Sequence, residues 1–210
     1  KLASATNDID LFELFDFNRS TGIISNAIVF PKLTTYPGSY GVEFSPDGTK
    51  LYAAAMSPKD IYQFDLCAGS NTAIANSGIL IATMPFGGLG ALQLGPDNKI
   101  YVDRWGTSFV GVINNPNTLG TGCNFVNNQV SLAGKSCYIG LPNFSSYYFS
   151  QAKIPAPPFT VFVKCLTGTF TAPAVSSTNC VGSANAVTSV VWNFGDPASA
   201  VNNTSNFNNP

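Results

Sequence analysis

Two unlike motifs recur along this chain at one spacing, and that spacing restricts the available folds more than any other feature. Phe12-Glu13-Leu14-Phe15-Asp16-Phe17 matches Ile61-Tyr62-Gln63-Phe64-Asp65-Leu66, which in turn matches Val110-Gly111-Val112-Ile113-Asn114-Asn115. Phe15, Phe64 and Ile113 fall 49 residues apart, 64 − 15 and 113 − 64 alike. The second motif, Gly41 to Tyr52 with Ser45-Pro46-Asp47-Gly48 at its centre, answers Gly90 to Tyr101 with Gly95-Pro96-Asp97-Asn98, one residue being deleted in the turn. Its step, 90 − 41, is also 49. Two motifs sharing one period make coincidence improbable.

Each unit reads as a short strand, a turn, a strand ending in Leu-Tyr or Ile-Tyr, a loop and a further strand. Proline presets φ for such a turn, and Gly48 or Asn98 tolerates its left-handed position. A 49-residue unit of about four strands has the size of a β-propeller blade. Asp47 and Asp97 stand where the turn needs a side-chain acceptor, so they read as turn residues and not as a catalytic carboxylate pair. Gly87-Gly88-Leu89-Gly90 precedes no helix and no Lys-Ser/Thr, which makes it a loop and not a phosphate cradle.

Composition agrees with β structure and narrows the chemistry. Charged residues are 10% of the 210 and the net charge is −1, so the electrostatic attraction needed for nucleic acid or an anionic membrane surface is missing. No run approaches the roughly 20 apolar residues of a membrane-spanning helix, and no direct membrane insertion is expected. Any export signal is expected to lie outside these residues. Histidine is absent, which removes the commonest general base and the commonest transition-metal ligand. The expectation is a protein that is not an enzyme and carries no cofactor or metal.

The five cysteines, Cys67, Cys123, Cys137, Cys165 and Cys180, form no CxxC pair, and disulfides are a better reading than zinc. Spacing suggests Cys123 with Cys137 and Cys165 with Cys180, each closing a short loop worth roughly 3 kcal/mol in the chain-entropy model, and it leaves Cys67 unpaired. Such bonds imply an oxidising, extracytoplasmic setting.

Residues 151–158, Gln-Ala-Lys-Ile-Pro-Ala-Pro-Pro, form a Pro-rich connector that cannot join a sheet ladder. A domain boundary is therefore expected there, with the repeats in 1–150 and a second module in 159–210. In that module Phe159 to Lys164 alternates as a strand does, and Trp192-Asn193-Phe194-Gly195-Asp196 follows a strand-forming Val190-Val191.

Several of these segments resemble one family. The run Tyr40 to Tyr52, then Gly90 to Tyr101, then Val112-Ile113-Asn114-Asn115-Pro116-Asn117 with Gly122-Cys123-Asn124-Phe125, and finally Gly140-Leu141-Pro142-Asn143-Phe144, is similar to the propeller-like region of large Bacteroidota surface proteins. Those proteins are PKD-domain-containing, gliding-motility-associated proteins with type 9 secretion sorting domains. In them Gly-Leu-Pro-Asn-Phe closes the repeat region, and Gly140 stands one further step of 50, 140 − 90, along the array.

The Trp192 to Asp196 segment looks like the Trp-x-Phe-Gly-Asp signature of PKD modules. In such an immunoglobulin-like sandwich Trp192 and Phe194 are implied to fill the core, with Gly195-Asp196 making the turn. Pro197 stands where the family usually has Gly, so the turn must differ in detail. The fold implied is all-β, with about three blades of an incomplete propeller followed by a partial PKD sandwich. The chain is thereby expected to be a section of a longer polypeptide.

Three functions compete. The resemblance implies a non-catalytic structural or adhesive section of an exported cell-surface protein, located outside the outer membrane. Its implied partners are the type 9 outer-membrane translocon and a surface glycan or another cell-surface protein. Aromatic residues at 12% raise a carbohydrate-binding alternative, with Trp105, Phe144, Tyr147 and Tyr148 as stacking candidates. A glycoside hydrolase using Glu43, Asp60 or Asp103 is the third and the weakest, because nothing in their spacing pairs them.

Overall fold

A computed structural model of the chain describes residues 1–32 and 38–142, and beyond them the backbone of four short strands. The chain divides into two compact units, Lys1–Ser150 together with Asn179–Val181, and Gln151–Thr178 together with Gly182–Pro210. The fold is all-β.

In the first unit three antiparallel sheets follow one another along the sequence, each strand pairing with its neighbour in the chain. The first sheet holds β1 (Leu2–Thr6), β2 (Leu11–Phe17) and β3 (Ile24–Val29). The second holds β4 (Ser39–Phe44), β5 (Lys50–Ala55), β6 (Asp60–Asp65) and β7 (Ile79–Thr83), and the third β8 (Leu92–Leu94), β9 (Ile100–Val102), β10 (Phe109–Ile113) and β11 (Phe125–Ser131).

The 49-residue repeat maps onto this order. Its first motif lies on β2, β6 and β10, and its second on the β4–β5 and β8–β9 hairpins. The pairing after each copy of the first motif is irregular in the same place in the meander, with register shifts at Leu14/Asp16, Ile61/Tyr62 and Val110/Val112. A bulge increases local twist and ends a straight ladder, so its recurrence is a structural signature of the repeat.

Both Pro-Asp turns form as the residues require. Gly48 N donates to the Ser45 carbonyl at 2.8 Å with Gly48 at φ 71°, while Asp47 Oδ1 accepts from Ser45 Oγ and from Thr49 N. In the other copy Asn98 takes φ 61° and donates to the Gly95 carbonyl, and Asp97 accepts from Lys99 N. One short helix, α1 (Asn71–Ala75), interrupts the β pattern between β6 and β7. Ser70 caps it by accepting from Ala73 N at 3.1 Å, and it buries Ile74.

Two apolar clusters flank the second sheet. Alternation along β5 sends Leu51 and Ala53 to the cluster with Phe12, Leu14, Ile28 and Phe30 of the first sheet's region. Tyr52 and Ala54 go to the other cluster, with Leu92, Leu94, Ile100, Val102 and Ile113 of the third sheet. Every residue of β5 is buried, which is why Leu51-Tyr52-Ala53-Ala54-Ala55 reads as a continuous apolar run and not as an alternation.

In the second unit β12 (Thr160–Lys164) pairs antiparallel with β13 (Thr167–Thr171), and β14 (Trp192–Asn193) with β15 (Thr204–Ser205). Trp192 lies opposite Ser205, while Phe194, Gly195 and Asp196 lie outside the described residues.

The cysteines require a correction. Cys123 and Cys137 are both buried free thiols, not a disulfide. Cys123 sits at one end of the β10–β11 ladder, where Asn115 N donates to its carbonyl, and Cys137 at the other, where its N donates to the Thr107 carbonyl. The seven residues of β11 separate them by roughly 20 Å, whereas a disulfide needs Cα atoms within about 7 Å. Cys67, expected to be unpaired, is disulfide-bonded. Cys165 and Cys180 lie outside the described residues.

Candidate binding site at the loop end of the third sheet

Three loops meet beside the third sheet: the segment before β8, the β9–β10 connection, and the stretch after β11. Backbone bonds lock them together. Gly88 N donates to the Trp105 carbonyl at 2.8 Å, Gly106 N to the Cys137 carbonyl at 3.1 Å, and Cys137 N to the Thr107 carbonyl at 2.7 Å. Each loop carries one exposed aromatic side chain, Phe86 at 62%, Trp105 at 41% and Tyr138 at 77% of full exposure.

Close approach explains the glycines of the first loop. A Cβ on Gly88 would lie 2.6 Å from the Trp105 ring, and one on Gly90 would collide with the Asp103 carboxylate. Gly41, the repeat equivalent of Gly90, is equally constrained, because a Cβ there would sit 2.5 Å from the Gly90 carbonyl oxygen. Gly41 is required because the Gly90 backbone passes beside it and Gly90 because the buried Asp103 side chain does, reasons the motif alone does not disclose.

Beneath the aromatics lies a buried polar cluster. Asp103 accepts from Cys137 Sγ at 2.6 Å and from Gly140 N at 2.7 Å. Burial raises its carboxyl above the usual carboxylate range, against the lowering effect of those bonds. Burial first, and then the Asp103 carboxylate beside it, push the Cys137 thiol up to about 11, so it is protonated near neutral pH and is no activated nucleophile. Arg104, fully buried, donates through Nη2 to the Phe86 carbonyl at 2.8 Å.

A second polar group, invisible in the motif, ties the sheets at another place. Gln63, buried on β6, donates from Nε2 to Tyr52 Oη at 2.6 Å and to the Thr118 carbonyl at 2.8 Å, and its Oε1 accepts from Gly120 N at 2.7 Å. Tyr52 Oη donates onward to the Pro116 carbonyl at 2.9 Å. The second sheet thus holds the β10–β11 loop by its backbone.

The carboxylates considered for glycosidic chemistry are individually engaged. Glu43 accepts from Leu94 N at 3.0 Å and from Phe44 N at 3.1 Å, clamping β4 to β8, with burial raising its carboxyl. Asp60 accepts from Thr83 Oγ1 at 2.6 Å and from Tyr62 Oη at 3.3 Å. Of the stacking candidates, Trp105 belongs to the loop end, while Phe144, Tyr147 and Tyr148 lie outside the described residues. Phe86 and Tyr138 were not singled out by sequence. A lone aromatic beside Gly or Cys carries no signal until the loops are seen together.

No protein-family model matches the chain, and no curated protein sequence matches it significantly. Among the described residues no helix is long and apolar enough to cross a membrane.

Proposed function

We propose that this chain is a non-catalytic, adhesive section of a large exported cell-surface protein. Its first 150 residues are propeller-like blades, and residues 159–210 begin a PKD-type sandwich. The observation that carries the reading is the repeat itself: one 49-residue motif pair, folded into successive meander sheets that share apolar faces. Stacked units of this kind make rigid displays whose loops are free to vary. The similarity to Bacteroidota gliding-motility-associated and type 9 sorting-domain proteins supports export through the outer-membrane translocon.

An antibody against residues 1–142 should label intact source cells without permeabilisation, and deleting the gene should reduce their attachment to surfaces. Labelling only after lysis, or attachment unchanged by the deletion, overturns the reading.

The loop end favours a second, compatible reading, contact with surface glycan. Phe86, Trp105 and Tyr138 stand exposed on loops already fixed by hydrogen bonds, so stacking on sugar rings would cost little ordering. The purified chain should bind a subset of a broad glycan array and lose at least tenfold in affinity in Trp105→Ala. Silence on the array, or equal binding by the variant, sinks this reading.

A further inference from the structure

The first sheet lacks a strand that its two successors have. Lys1, Lys50 and Lys99 stand 49 apart, 50 − 1 and 99 − 50 alike, and so do the pairings that follow them: Leu2 lies opposite Phe15, Leu51 opposite Phe64 and Ile100 opposite Ile113. An ion pair repeats with them, Lys1 to Asp16 and Lys50 to Asp65. β1 is therefore the counterpart of β5 and β9, not of β4 and β8. In the second sheet β4 lies along the far side of β5, and in the third β8 along that of β9, whereas nothing among the described residues pairs with β1 on that side. Burial follows the same difference. Every residue of β5 is buried, while Leu2 and Thr6 at the ends of β1 are exposed and the three residues between them half-buried.

The second sheet also shows which atoms the open side presents. Ser45 N donates to the Lys50 carbonyl at 3.0 Å and Lys50 N to Ser45 Oγ at 2.9 Å, so the main chain of Lys50 faces β4, and by alternation that of Tyr52 and Ala54 does too. Their counterparts Ala3 and Ala5 turn N–H and C=O groups away from the first sheet. Native proteins blunt such edges with proline, charge or a bulge. Leu2-Ala3-Ser4-Ala5-Thr6 holds neither proline nor charge, and its pairing with β2 runs without a register shift.

We propose that the open edge of β1 is a strand-addition site whose occupant is an extended segment of the repeat's own β4 kind, a strand that ends, as β4 and β8 do, in an apolar residue and a Pro-Asp turn. Continuity with the two complete sheets selects that occupant, because such a strand fills the equivalent position in both. Main-chain bonds to Ala3 and Ala5 would hold it. The edge site rests on the repeat reading of the first unit and not on export or adhesion, so the two can fail separately.

The probe is a fluorescein-labelled peptide with the sequence of residues 39–49, which carries β4 and its turn. Titrating the intact chain into it should raise its polarisation saturably, and saturating peptide should slow amide exchange at Ala3 and Ala5. Ala5→Pro removes one outward donor without touching the ladder to β2, and should weaken binding by about tenfold or more at unchanged Tm. Glu43 lies opposite Tyr52, so its N–H faces β5, and the peptide carrying Glu43→Pro should fail in the same way even if Ala5→Pro does not fold. Absence of saturable binding, equal binding with either proline, or binding that leaves exchange in β1 unchanged overturns the proposal. So does a dimer of the chain that Ala5→Pro dissociates, because a second copy would then be the occupant.

Discussion

The second sheet is covered on both sides, and its two interfaces are built on different terms. Toward the first sheet it presents hydrocarbon, including a Phe30–Phe64 ring pair with centroids 4.1 Å apart and planes tilted by 37°, and it adds a polar tie from Ser39 Oγ to Asp10 at 2.7 Å. Toward the third sheet it presents hydrocarbon as well, but Tyr52, Gln63 and Glu43 reach across to main-chain groups of the neighbouring unit. The first interface is specified by shape and burial alone over most of its area. The second also dictates which loop atoms must lie where, because each buried polar group left unmatched is costly.

Adjacent residues on β6 make the contrast testable. Phe64→Ala should produce the largest loss, about 3 to 5 kcal/mol in chemical denaturation, by emptying the apolar interface. Gln63→Leu should cost less, about 1 to 3 kcal/mol, despite preserving apolar volume, since Gly120 N and the Thr118 carbonyl lose their buried partner. If Gln63→Leu is neutral or stabilising, the polar interface has no such role and the two faces are equivalent.

Alkaline pH probes the third sheet's end with a smaller effect. The Cys137 thiol rises from 9.0 to about 11 in the folded chain, so the stability it contributes is complete below pH 9 and is lost as pH climbs through about 11. Wild type should therefore lose on the order of 1 to 2 kcal/mol more than Cys137→Ser between pH 9 and 11. Parallel pH profiles for the two proteins would place the Cys137 to Asp103 contact outside the stability of this end. The smallest signal is chemical: Cys123 and Cys137 should both resist an aromatic disulfide reagent at pH 8 until the protein unfolds, whereas rapid native labelling of either would contradict its burial.

Some of this architecture was legible before any coordinates. The Pro-Asp turns and the period of 49 are local, and local chemistry fixes turn type, so the hairpins and their equivalence along the chain follow from the residues. The expected Cys123–Cys137 pairing fails because sequence spacing does not report distance when an antiparallel strand lies between two residues. Gln63 and Arg104 escaped notice for a related reason. Each is one polar residue within an apolar or mixed stretch, and its partners, such as Thr118 or Phe86, become neighbours only after the sheets stack. Gly41 and Gly90 are visible as repeated letters, but the crowding that requires them, by the Gly90 carbonyl in one case and the Asp103 carboxylate in the other, is not.

Amide hydrogen exchange on the intact chain tests the stacked-repeat account most directly. If successive sheets share their faces, β5 and β6, covered on both sides, should hold the slowest-exchanging amides of the first unit, ahead of the paired strands β2 and β10. Exchange in β5 and β6 as fast as in those strands, or opening of the second sheet before its neighbours, would contradict it.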